Sequence, residues 1–144
     1  MHTFLLKPGK WKAAGKFYDE ASVAVDATGV ANIIHDRSVW RNEGSMTIHS
    51  STPVTFTSTY EIRPFSDKSD TTTWKANNPK LGIFLGRFSY TDSAITSLYQ
   101  TEDGNFKGHE VVIHIDDTQY RAIGTLYDKE KKISSWDLIL TREL

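Results

Sequence analysis

Apolar and polar positions alternate with a period of two along most of this chain. In the first regular run Trp11, Ala13, Gly15 and Phe17 fall on one side, and Lys12, Ala14, Lys16 and Tyr18 on the other. That is the pattern of a half-buried strand. Further along, Trp40, Asn42, Gly44, Met46 and Ile48 oppose Arg41, Glu43, Ser45, Thr47 and His49. Val54, Phe56, Ser58, Tyr60 and Ile62 oppose a threonine-rich face that goes to water. Thr72 to Ala76 predicts a short strand with Trp74 inward. Leu81 to Tyr90 carries two competing sets, Ile83, Leu85 and Arg87 against Phe84, Phe88 and Tyr90.

Turn signals punctuate these runs. Asp26-Ala27-Thr28-Gly29 predicts a hairpin, with Gly29 supplying positive φ. Ser50 to Pro53, Asn77-Asn78-Pro79, Glu102-Asp103-Gly104-Asn105, Asp116-Asp117-Thr118 and Asp128 to Lys132 mark further reversals, and Ser66 to Asp70 a mobile loop. Gly44 predicts a bulge or bend, and Gly82 with Gly86 strong curvature. No segment holds a helical period. The expectation is an all-β chain of about nine or ten strands. So many short antiparallel strands must bury one face and hide their edges, and closure into an up-and-down barrel does both. A two-sheet sandwich is the alternative. No repeat or linker divides the chain, so residues 1–144 are expected to form one domain.

Composition narrows the chemistry. The chain has no cysteine, which removes disulfides, thiolate metal sites and a cysteine nucleophile. Lys and Arg (17) nearly balance Asp and Glu (18), for a formal charge of −1, so no electrostatic footprint for nucleic acid or an anionic membrane is visible. The apolar trio Phe4-Leu5-Leu6 is too short for a signal-peptide core, and no run reaches transmembrane length. A soluble, cytoplasmic protein is expected.

Gly9-Lys10-Trp11 opens the first strand, and Arg142 stands near the end of the last. This arrangement resembles the calycin superfamily of lipocalins, fatty-acid-binding proteins and their relatives. In those families a G-x-W tryptophan packs beneath a basic side chain from the final strand and caps the barrel. The resemblance therefore implies that Trp11 and Arg142 close the barrel, and that its interior takes a small, largely apolar molecule. The helices and R-x-Y anchor of fatty-acid-binding proteins are missing, as are the signal peptide and disulfides of extracellular lipocalins. Gly9 to Gly15 also resembles the G-x-W-x-G-x-G opening of nitrobindin-like haem barrels, with Ala13 in place of a glycine. Those proteins hold iron by a histidine near the last strand, where this chain reads Ile133-Ser134-Ser135-Trp136. No cofactor is expected, and the chain looks nearest to cytoplasmic calycin-like barrels.

The candidate chemistry is sparse. The five histidines show no ligand spacing: His109 and His114 fall on opposite faces of one strand, His49 at a strand end, and His2 in the tail. His35 fits either face. Gly44-Ser45-Met46 is no nucleophile elbow, and Asp116-Asp117 reads as turn carboxylates. More informative are polar residues placed by alternation among inward apolar ones: Asn42, Ser58, Tyr60, Arg87, Ser97, Tyr99 and Tyr120. A buried arginine needs a partner, and its fork suits a carboxylate. Arg87, with Tyr60 and Tyr99, is the candidate anchor for the polar end of an amphipathic, even anionic, ligand, with Trp40, Trp74 and Phe56 along its body and Asn42 and Tyr120 in the lining. The counter-reading pairs Arg87 with Glu43, Glu61 or Glu110, or turns it to solvent. Trp11 and Trp136 read as structural. Two alternatives to a binder stand: an isomerase, cyclase or lyase using a cavity Tyr or His beside Arg87, and a barrel filled by its own rings that acts as an interaction module.

Overall fold

Each alternating run becomes a strand, and each strand pairs antiparallel with its neighbour in sequence. The computed structural model describes all residues, Met1–Leu144. Its strands are β1 (Gly9–Tyr18), β2 (Ala24–His35), β3 (Trp40–Ile48), β4 (Val54–Ile62) and β5 (Thr71–Asn78), followed by β6 (Gly82–Tyr90), β7 (Ala94–Thr101), β8 (Phe106–Asp116), β9 (Gln119–Asp128) and β10 (Lys131–Arg142). The ten form a closed up-and-down barrel in which β10 returns to β1. Closure satisfies the backbone groups that an open sheet would leave at two edges.

The seam between first and last strands is continuous, from Trp11 opposite Arg142 to Tyr18 opposite Ser135. The Arg142 guanidinium lies against Gly9, where an added Cβ would stand 3.5 Å from Nε. Trp11 is 1% exposed, and its indole N–H has no partner.

The end of the barrel at Trp11 is sealed by the N-terminal segment, so His2 is a buried plug residue and no tail. Phe4 and Leu5 enter the core, with Leu5 in the left-handed region (φ 69°) to turn the chain upward. Tyr120, fully enclosed, holds this segment by its hydroxyl. His2 Nδ1 lies 2.9 Å from Tyr120 Oη, Thr3 N–H donates to it at 3.0 Å, and His2 Nε2 lies 2.7 Å from the Thr91 carbonyl. His35 Nε2 reaches the Leu5 carbonyl at 2.8 Å.

Two local expectations are corrected. The hairpin expected at Asp26 to Gly29 lies within β2, and the chain reverses earlier. There the Asp19 carboxylate accepts from the Ala21 and Val23 N–H groups while Ser22 takes φ 61°. Gly44 forms no bulge, since the β2–β3 and β3–β4 registers run through it unbroken. A Cβ there would press on the Val30 carbonyl, so glycine permits a close strand approach.

One seam is short. β4 and β5 pair only at Tyr60–Ala76, Glu61–Lys75 and Ile62–Trp74, leaving Val54 to Thr59 of β4 without a partner on that side. The wall is therefore split between β4 and β5 at the end opposite the plug.

Candidate functional site

Above the plug the barrel is hollow. An internal cavity of about 200 Å³ is walled by apolar side chains including Ala31, Met46, Ile95, Val112 and Leu138. A second space of about 170 Å³ shares Tyr60, Trp74, Tyr99 and Trp136 with it, and continues to Thr57 and Ser58 on β4 and Asn77 and Asn78 on β5. The split seam thus leads from solvent to the interior.

The hollow exists because large rings face glycines. Trp74 is paired with Gly86, Tyr99 with Gly108, and Trp136 with Gly124. In each pair a Cβ on the glycine would overlap ring atoms, so each aromatic lies across the glycine of a neighbouring strand. Instead of crossing the barrel, these rings are folded onto its wall. Aromatic cover of a glycine is a recognised device in β-sheets, and here it keeps the centre free.

The polar groups of the cavity are few and convergent. Glu110 on β8 points inward, with Trp136 Nε1 donating to its Oε2 at 2.7 Å. The ring reaches it by crossing Gly124, which is paired with both residues. Glu110 is half-buried and lines the cavity. Burial raises its pKa above the ordinary carboxylate value, and the hydrogen bond from Trp136 partly offsets the shift. Tyr60 is pushed up to about 12, first by burial and then by the nearby Glu110. Tyr99 is pushed up as well, by burial, Glu110 and Tyr60 in that order. Both phenols are thereby kept neutral. Trp74 Nε1 donates to Ser97 Oγ at 3.1 Å, and Asn42 completes the lining.

Trp11 Nε1 is the one fully enclosed side-chain polar atom without a partner. One Glu110 oxygen and the Tyr60 and Tyr99 hydroxyls, on residues that line the cavity, also have no partner within the chain. Unfilled hydrogen-bonding capacity inside a protein calls for an occupant, whether water or ligand.

Of the residues expected to line a ligand site, Asn42, Tyr60, Trp74 and Tyr99 come together here. Four do not. Arg87 is exposed on the outer face, because Gly86 must point inward to admit Trp74, and Phe84 and Phe88 share its parity. Phe56 is 45% exposed at the rim, where β4 has lost its partner. Trp40 stacks on His35 at 3.7 Å beside the plug. Tyr120 is the centre of the plug itself. Glu110 and Trp136 were missed as site residues, although alternation through Gly108, Glu110 and Val112 places Glu110 inward.

The largest concavity, about 980 Å³, lies outside, where Arg87, Lys75, Lys107, Leu85 and Leu98 stand on the saddle of β5 to β8. It is open to solvent. No three His, Asp or Glu side chains converge as a metal site, and no helix is long and apolar enough to cross a membrane.

No protein-family model matches this chain, and no curated protein matches it in sequence. Among solved structures, the S-type phycobiliprotein lyase CPES from Guillardia theta superposes with a TM-score of 0.68, at 8% identity, over 96% of this chain and 89% of that one. That likeness is one of fold. A conserved protein of unknown function with a hot dog fold from Alicyclobacillus acidocaldarius covers 95% of this chain and 79% of its own at 10% identity, but its TM-score of 0.28 carries no argument.

Proposed function

We propose that this protein binds a small, largely apolar molecule inside the barrel, in the manner of calycin barrels. The observation that carries the reading is an internal cavity with apolar walls and a few polar side chains, Asn42, Tyr60, Tyr99 and Glu110, among them, which is the usual make-up of a ligand site. The hollow interior weighs against a filled barrel, and the outward Arg87 weighs against an anionic anchor. At about 200 Å³ the main space suits a ligand smaller than the drug-sized molecules that occupy roughly 300–1,000 Å³.

Native mass spectrometry of protein purified from its own host tests this directly. A co-purifying molecule is expected on the parent chain and lost from Ala31→Phe, which fills the cavity from β2. The reading fails if the parent chain is empty and takes up no neutral aromatic probe.

A second reading is a proton-transfer enzyme, and Glu110 favours it. A buried carboxyl whose pKa is raised above the ordinary carboxylate value is a candidate acid or base. The barrel of similar fold is named a lyase. Here the working group is Glu110 in place of the Tyr or His beside Arg87. Turnover of the co-purified molecule by the parent chain and its loss in Glu110→Gln separate this reading from simple binding.

A further inference from the structure

The sign of the cavity has a consequence for what can occupy it. Neither internal space is lined by any Lys, Arg or His. The ionisable groups that face Glu110 across the hollow are Tyr60 from β4 and Tyr99 from β7, and β10 contributes only the neutral indole of Trp136. Every one of these groups is neutral or negative when it titrates. A buried carboxylate without a counter-charge is costly, and a ligand carrying the opposite charge removes that cost.

The aromatic shell points the same way. Tyr60 and Trp74 stand 4.8 Å apart, Trp74 and Tyr99 5.5 Å, and Trp74 and Phe88 5.8 Å, all tilted. Ring faces around an enclosed space attract cations through their quadrupoles, the more so when water is excluded. One free carboxylate oxygen and several ring faces together make an ammonium site.

We propose that the cavity selects a compact, apolar-bodied amine, its ammonium group held by Glu110 Oε1 and the faces of Trp74, Tyr60 and Tyr99. This rests on the interior being a ligand site, and it reverses the charge preference that an inward Arg87 would have set. The raised carboxyl pKa supports it, because an incoming cation lowers that pKa and binding becomes linked to pH. Affinity for the amine is full above the native pKa of Glu110 and falls as the pH drops through it.

Three probes that share a phenethyl body and differ in their polar group test the proposal: phenethylamine, phenethyl alcohol and hydrocinnamate, followed by quenching of the cavity tryptophans and by chemical shifts of the Ala31 and Val112 methyls. The parent chain should bind the amine roughly tenfold to a hundredfold more tightly than the alcohol, as expected for one charge-assisted contact, and the carboxylate most weakly. Glu110→Gln should abolish that preference, bringing the amine's affinity down to that of the alcohol. Trp136→Phe should keep it but move its loss to higher pH, because the hydrogen bond that lowers the Glu110 pKa is gone. Equal or tighter binding of hydrocinnamate by the parent chain, or an amine preference that survives Glu110→Gln, overturns the proposal while leaving the cavity as a ligand site. Failure of all three probes to bind overturns the ligand site itself, and the amine selectivity with it.

Discussion

Trp136 on β10 reaches across β9 to donate its indole N–H to Glu110 on β8 at 2.7 Å, and the residue it crosses is Gly124, paired with both. Three strands are thereby tied by one ring inside the wall. A Cβ at Gly124 would overlap Cζ2 and Cε2 of that ring. Gly124→Ala should lift Trp136 into the cavity, break the bond to Glu110 and cost about 1–3 kcal/mol, the usual penalty of overpacking. Urea unfolding measures the cost, and loss of probe uptake reports the displaced ring. A variant as stable as the parent would show that the ring has another resting place.

Glu110 should make the protein less stable than it could be. Its native pKa is raised above 4.5, so the folded chain holds this proton to higher pH than the unfolded chain does. Folding is penalised once the pH exceeds the native pKa, and the penalty fades as the pH falls through that value, vanishing below the unfolded one. Glu110→Gln should therefore gain about 0.5–2 kcal/mol at neutral pH, as substitutions of strained functional groups commonly do. The gain should shrink towards pH 4.5, where the unfolded carboxyl itself protonates. A difference independent of pH, or a loss at neutral pH, would contradict the burial of an ionising carboxyl.

The plug depends on one hydroxyl that meets His2 Nδ1 at 2.9 Å and the Thr3 N–H at 3.0 Å. Tyr120→Phe leaves these groups enclosed and unpaired, at about 1–3 kcal/mol. Leu5→Ala, at a site 1% exposed, should cost about 2–5 kcal/mol. Hydrogen exchange distinguishes local release of the segment from global unfolding: Tyr120→Phe should speed exchange at the Thr3 amide more than in the middle of β8. Uniform acceleration across the barrel would mean that the plug and wall unfold as one unit.

If the split between β4 and β5 is the way in, closing it should slow exchange of ligand without changing its affinity. Thr59 and Asn77 follow outward from the last paired residues, Tyr60–Ala76 and Glu61–Lys75. The chain has no other cysteine to interfere. Oxidised Thr59→Cys/Asn77→Cys should take up and release a cavity probe more slowly in stopped-flow fluorescence, with recovery on reduction. Unchanged rates in the oxidised form would place the entrance elsewhere.

Much of the architecture was legible in the sequence, because a half-buried strand needs period-two alternation and this chain supplies it from Trp11 to Arg142. The all-β reading follows from local pattern, whereas the closed barrel with first strand beside last, preferred to a two-sheet sandwich, rests on the cost of free edges and on the resemblance carried by Gly9-Lys10-Trp11 and Arg142. The alternation of β4 also placed Tyr60 inward. It failed on β6, where two apolar sets competed and Arg87 was put on the wrong side. The deciding residue there is Gly86, whose missing side chain makes room for Trp74 from the next strand. Parity within one strand cannot register a requirement set by its neighbour.

What the sequence by itself determined is the number and kind of strands and the side on which most residues stand, since these depend on contacts a few residues apart. Only the tertiary structure decided that the barrel is hollow, that the first residues seal one end, and that Glu110 stands with ring faces and no cation. Each of those outcomes depends on register between strands. Register brings a glycine opposite a ring or a serine opposite a carboxylate, and it is set when the whole sheet closes.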